Sequence, residues 1–174
     1  ASCFPAAATV ELADGSTAAM ADVAVGDVLR VSAAGDGGSA ASWSAVYMFA
    51  HRLAGGVYDF VELATSDAAR PTLTLSPGHL VYLADGRLVA AASVVPGDGL
   101  QPAAPLAAVA SARRGGVGVP GNGTAAAAAP AAPAVWVTAV TRRRLRGLYN
   151  PMTLHGDLIV DGFRVSTYTT AMPP

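Results

Sequence analysis

The chain has 174 residues, enough for one domain with a sizeable core. It is 52% apolar but only 6% aromatic, and much of the apolar share is alanine, so bulk hydropathy overstates the supply of large core side chains. A net charge of −1 offers no global field for nucleic acid, no run of 18 or more apolar residues argues for a membrane span, and the single cysteine, Cys3, excludes an intramolecular disulfide framework. In chain order, residues 9–12 read as a short strand running into an Asp14-Gly15 turn, since glycine accepts positive φ at little steric cost. Residues 17–25 hold one short helical turn at most. Val25-Gly26-Asp27 then leads into a strand at 28–31. Further strands are expected at 45–49, 57–63 and 72–75. Residues 80–83 run into Asp85-Gly86, and Pro96-Gly97-Asp98 repeats the earlier Gly-Asp turn. From about 101 to 133 the chain is Ala, Gly and Pro with few large apolar residues, which reads as a flexible insertion. Its Asn122-Gly123-Thr124 fits a glycosylation acceptor, of consequence only in a secreted protein. Strands at 135–140, 158–160 and 165–168 complete an all-β set, and Arg142-Arg143-Arg144 with Arg146 reads as a solvated strand end or turn.

The strongest internal signal is a duplication. Residues 10–29 align without a gap onto 81–100, at an offset of 71, with 11 identities in 20. Alanine bias can supply three of these, but not two Asp-Gly and two Gly-Asp pairs in register. Two copies are too few for a solenoid, so the pattern predicts one domain of two related halves. The same offset carries Cys3 onto Thr74, at the head of Thr74-Leu75-Ser76-Pro77-Gly78-His79. Equivalent strand ends are therefore expected to meet at a shared centre, a thiol from one half against a hydroxyl and an imidazole from the other.

A lone cysteine is by itself more often a buried core residue. Three features point elsewhere: Cys3 lies near the start of the chain, it pairs by duplication with the Ser76/His79 segment, and Pro5 restricts the backbone after it. A thiol acting on its own preceding peptide bond, Ser2–Cys3, needs no bound substrate, and proximity replaces much of the activation barrier. Attack on the Ser2 carbonyl gives a thioester by an N-to-S shift. The amide nitrogen is a poor leaving group and must be protonated; His79 is the candidate acid. A hydroxyl or backbone N–H must steady the oxyanion, and Ser76 is the candidate, although Ser-Pro-Gly alone is simply a turn sequence.

Cys3-Phe4-Pro5, the V-x-L-x-D-G and V-x-x-G-D-x-L runs, residues 73–80 and residues 152–162 together resemble the Hint domain of hedgehog-type autoprocessing proteins, relatives of inteins. The resemblance spans nearly the whole chain outside the insertion. It implies an all-β, pseudo-two-fold disc, with Cys3 as the acyl-shift nucleophile. It also implies that His79 is the histidine of the family's Thr-x-x-His motif, with Ser76 in place of the threonine. His51 stands where the family has an acidic residue before arginine, Arg52 here, whose carboxylate activates a sterol. An imidazole serves as a base for a second step, with the acceptor water, a small thiol or an unknown alcohol or lipid. Thr167 stands in the family's Ser-Cys-Tyr, which removes a second thiol. Thr74 and Thr167 are secondary candidates, as is His155, for which a surface or structural role is the plainer reading.

The resemblance further implies a domain that acts on its own N-terminal precursor segment; a monomer without cofactor, metal or nucleic acid is expected, the last from the net charge of −1. The secretory pathway or the extracellular space is its expected setting. An intein's closing His-Asn pair is absent from Thr170-Ala171-Met172-Pro173-Pro174, so splicing is not expected, and the sterol-binding extension of hedgehogs has no counterpart before Pro174. The start at Ala1, with no visible signal peptide, fits an excised fragment, and Ala1-Ser2 replaces the glycine usual before the family's cysteine. Two other readings stand beside self-cleavage. One is an inactive Hint-like interaction or spacer module, with Ser76, His51 and Thr167 as signs of decay. The other is a zinc site of Cys3, His79 and His51, whose scattered spacing speaks against a physiological metal.

Overall fold

A computed structural model describes residues 3–32, 41–103 and 135–169; all of the expected insertion beyond residue 103, Asn122 included, lies outside them. The described residues form eleven strands: β1 (Thr9–Glu11), β2 (Thr17–Ala19), β3 (Val28–Val31), β4 (Ser42–Thr65), β5 (Thr72–Leu75), β6 (His79–Tyr82), β7 (Leu88–Ala90), β8 (Gly99–Leu100), β9 (Val135–Thr153), β10 (Asp157–Val160) and β11 (Phe163–Thr169). The only helical turns among the described residues are 3-10 turns at Met20–Asp22 and Ala91–Ser93. The first of these is the short turn expected within 17–25.

The strands form two sheets, one ordered β2-β1-β10-β11-β6-β7 and the other β3-β4-β9-β8, with β5 added against β4. Each order reads the same from either end once the first repeat is exchanged for the second, which is the expected pseudo-two-fold. Atomic detail repeats with it. Gly15 and Gly86 donate N–H to Leu12 and Leu83, each at 2.9 Å, while Gly26 and Gly97 donate to Val46 and Val137, each at 2.8 Å. The Asp27 carboxylate accepts the Ala24 N–H at 2.8 Å, and its counterpart Asp98 accepts the Val95 N–H at 2.9 Å. Gly26 and Gly97 hold φ of 97° and 98°, left-handed values that explain why both copies keep glycine there.

One core is drawn from both sheets. Val10, Val81, Leu158, Val160, Phe163 and Val165 meet Leu29, Val61, Leu63, Leu73, Leu100 and Val137, and all of them are buried. Strand β4 alternates there as a half-buried strand should: Val61 and Leu63 are inside while Glu62 between them is partly exposed.

Two expectations need correction. Segments 45–49 and 57–63, expected as separate strands, are one continuous strand, in which Gly55-Gly56 lies at an irregularity between Leu53 and Val57, opposite Leu148 and Arg146. The arginine cluster is likewise not a strand end. It lies within β9, where it is solvated as expected and two of its arginines meet cross-strand carboxylates: Arg143 contacts Glu62 at 3.0 Å and Arg144 contacts Asp59 at 3.6 Å.

Candidate active site

The N-terminal segment enters as a short edge against β9. Phe4 N–H donates to the Tyr149 carbonyl at 2.8 Å, and Tyr149 N–H returns to the Phe4 carbonyl at 3.0 Å. On its other flank lies the turn Ser76-Pro77-Gly78-His79, closed by His79 N–H on the Ser76 carbonyl at 3.0 Å. Proline at the second position presets the φ such a turn needs. The turn holds Cys3 through both its backbone N–H and its backbone C=O. Ser76 N–H donates to the Cys3 carbonyl at 2.8 Å, and Cys3 N–H donates to Ser76 Oγ at 2.5 Å. The two segments paired by the duplication thus meet, through the backbone of Cys3. The Ser76 hydroxyl, however, accepts from the nitrogen of the Ser2–Cys3 bond; it was expected at the oxyanion.

His79 follows from the same turn and is fully buried. Its ring lies 4.2 Å from the Phe4 ring, tilted by 50°. Nε2 is 2.7 Å from the Ser166 carbonyl oxygen, which only accepts, so Nε2 carries the proton. Nδ1 is therefore the unprotonated nitrogen of the neutral ring.

The Cys3 thiol is buried against Phe60 and Leu148. Burial disfavours the thiolate and pushes its pKa up to about 12. At neutral pH the sulfur is therefore a thiol, and the thiolate is the nucleophilic form of a cysteine.

The other sequence candidates separate. Thr74 is buried in β5 opposite Glu62, and its backbone N–H is turned to the Asp161 carboxylate. Thr167 is fully buried in β11, directly after the residue that holds His79. His51 is exposed in β4, paired with Asn150 of β9, so one strand separates it from the Cys3 segment. His155 sits in the β9–β10 turn, with Nε2 at 3.2 Å from Ser32 Oγ and 3.7 Å from Asp157. Asp157 also holds Arg164 at 2.7 Å, so His155 belongs to a structural polar cluster. Among the described residues no three His, Cys, Asp or Glu side chains are grouped to hold a metal ion, and Cys3, His79 and His51 form no such set.

Asn150 escaped the sequence reading. Asn-Pro reads as a turn, yet Asn150-Pro151 continues β9, the proline absorbed at a register shift opposite Phe49. Asn150 is buried, and its Nδ2 donates to the Thr167 carbonyl at 3.3 Å. Consecutive carbonyls of β11, Ser166 and Thr167, thus orient the imidazole and the amide.

A family model for the Hint module matches residues 1–172. This chain belongs to the Hint family. Its fold is similar to that of the gp41-1 intein, with a TM-score of 0.63 at 9% identity over 95% of this chain and 98% of that one. It is equally similar to a bacterial intein-like domain from Clostridium thermocellum, with a TM-score of 0.63 at 14% identity, covering 94% and 97% of the two chains. A DnaB intein from Synechocystis also gives a TM-score of 0.63, at 10% identity over 95% and 98%. At such identities the likeness speaks for the fold. The Hint domain is a self-processing module, acting on segments that flank it in its own precursor.

Proposed function

We propose that this Hint domain cleaves the peptide bond ahead of Cys3 without splicing. Cys3 Sγ attacks the Ser2 carbonyl carbon and forms a C–S bond while the thiol proton passes to His79 Nδ1. The tetrahedral intermediate then collapses: the C–N bond breaks, and the Cys3 nitrogen leaves as an amine with the proton returned from His79. Ser76 Oγ steadies that departing nitrogen through the N–H it already accepts. Water, a small thiol or an alcohol next attacks the thioester, the C–S bond breaks, and the upstream segment is released while Cys3 regains its proton. The observation that carries this reading is the pair of hydrogen bonds, 2.5 and 2.8 Å, that clamp the Cys3 peptide unit to Ser76, three residues before the buried His79.

The test is a reporter fused ahead of Ala1, incubated with dithiothreitol or hydroxylamine. Thiol-stimulated release is expected from the wild type and none from Cys3→Ala. An unreactive wild type, or equal release from Cys3→Ala, overturns the proposal. One observation favours the second reading, an inactive interaction or spacer module: the Cys3 thiol is buried against Phe60 and Leu148, and burial disfavours the thiolate. A junction that stays intact in thiol, by mass spectrometry of a precursor with its upstream residues, would select it.

A further inference from the structure

Asn150 Oδ1 and Thr167 Oγ1 are both buried, and neither has a hydrogen-bond partner among the described residues. Buried polar atoms are nearly always satisfied, and two such exceptions on interacting residues call for a physical reason. The Asn150 amide is not free to turn. Its Nδ2 is fixed on the Thr167 carbonyl, which assigns the nitrogen and directs Oδ1 away from β11. The register adds a direction. Since Phe4 pairs with Tyr149 and Arg52 pairs with Tyr149 from the other edge, Cys3 falls opposite Asn150, and Asn150 opposite His51. Directly opposed residues of antiparallel strands share a face. Leu148, which packs on Cys3, stands on that same face of β9, two residues before Asn150. One row therefore runs from an exposed imidazole, through a buried amide oxygen, to the buried sulfur.

We infer that Asn150 Oδ1 and Thr167 Oγ1 form the subsite for the hydroxyl group that resolves the Cys3 thioester. The inference rests on the autoprocessing reading and names the second-step acceptor as a hydroxyl compound. Oδ1 accepts the acceptor's O–H, and Thr167 Oγ1 bonds the same oxygen; a bound hydroxyl needs two to four such partners. His51, at the solvent end of the row, takes the proton as the acceptor oxygen bonds to the Ser2 carbonyl carbon. The C–S bond breaks, and the proton is then returned to the Cys3 thiolate. Water gives an acid and an alcohol gives an ester, through the same contacts.

The experiment measures two rates on one precursor carrying a reporter ahead of Ala1. Dithiothreitol-induced release reports thioester formation; release in buffer alone, or with glycerol, reports hydroxyl attack. Asn150→Ala and Thr167→Val are expected to keep the induced rate within about twofold and to slow uninduced release about tenfold or more. Thr167→Ser, which keeps the hydroxyl, restores the uninduced rate. Should Asn150→Ala fail to fold, the Thr167→Val and Thr167→Ser pair decides alone. The product's mass separates acid from ester, and either supports the subsite. Equal loss of both rates, an unchanged uninduced rate in the variants, or a wild type that forms the thioester yet never yields to water or glycerol overturns it. A wild type with no induced release fails earlier and removes the autoprocessing reading itself.

Discussion

The two repeats agree where they build the fold and differ where chemistry is expected. Residues 9–31 and 80–102 share their turns, their 3-10 segments and the hydrogen bonds that tie each to the long β4–β9 pair. Just upstream of each, the equivalence breaks down. At the offset of 71, Cys3 faces Thr74, Pro5 faces Ser76 and Ala8 faces His79. The symmetric frame brings these unlike segments together, the Cys3 backbone from one copy hydrogen-bonded to Ser76 of the other; in the proposed mechanism the nucleophile comes from the first and its hydroxyl and imidazole from the second. A duplicated fold can thus hold an asymmetric site by keeping its frame constant and varying the strand ends that meet at the axis.

The sharpest break of that comparison is to remove one side of it. Cys3→Ala should abolish reporter release, since it removes the only sulfur nucleophile the chain carries. His79→Ala, which converts the second copy toward the first, should lower thiol-induced release by about 10²–10⁴, the usual worth of a positioned acid. Ser76→Ala should cost less, about tenfold, because the Ser76 N–H still anchors the Cys3 carbonyl when the hydroxyl is gone. Release rates with circular dichroism of each variant check all three. A His79→Ala as fast as wild type would remove the second copy from the chemistry.

The frame itself predicts equality. Gly26 and Gly97 hold φ of 97° and 98°, and a Cβ added at either meets nothing within 4 Å. The penalty for alanine is therefore purely that of the backbone, about 1–2 kcal/mol at each site. Urea midpoints of Gly26→Ala and Gly97→Ala should fall together. A clear inequality would show that the two turns bear different loads despite identical geometry.

This equality was legible in the sequence because each turn is local: an Asp-Gly or Gly-Asp pair specifies its own backbone, and the copy doubles the signal. The meeting of Cys3 with Ser76 was legible too, through the offset. What escaped depends on partners distant in sequence. Gly55-Gly56 carries no sign that β9 will run past it and turn a break into an irregular stretch of strand. Asn150-Pro151 looks like a turn until the register with β4 makes it strand. The direction of the Cys3–Ser76 hydrogen bond, from amide to hydroxyl, is a matter of side-chain placement that no spacing encodes.

The buried thiol separates the copies by pH. Its pKa is raised from 9.0 to about 12 by burial, so the folded state holds its proton where the unfolded state has lost it. The resulting stabilisation is full below about pH 9 and drains away as pH climbs toward 12. Wild type should therefore lose stability faster than Cys3→Ala over that window, whereas Thr74→Ala, which leaves the thiol in place, should follow the wild-type slope. Urea midpoints at about pH 8 and about pH 10.5 give the comparison. Parallel slopes for wild type and Cys3→Ala would mean the sulfur is more hydrated than its packing against Phe60 and Leu148 indicates.

The smallest effect is expected where the copies differ at the surface. Asp14 and Asp85 accept the backbone N–H two residues on, at 2.9 and 3.0 Å, so both turns close in the same way. The residue supplying that N–H is Ser16 in one copy and Arg87 in the other. Ser16 adds a hydroxyl bond of 2.6 Å, and Arg87 adds an ion pair of 2.7 Å with side chains 65% and 55% exposed. Water competes for both additions, and an ion pair so exposed contributes little against the freedom it costs. Arg87→Ser, which gives the second turn the first turn's residue, should leave the melting temperature unchanged within about 1 °C. The turn is held by the Asp-to-backbone bond, which survives the exchange. A larger drop would place the stability of the second turn in its charge and end the equivalence of the two copies at this point.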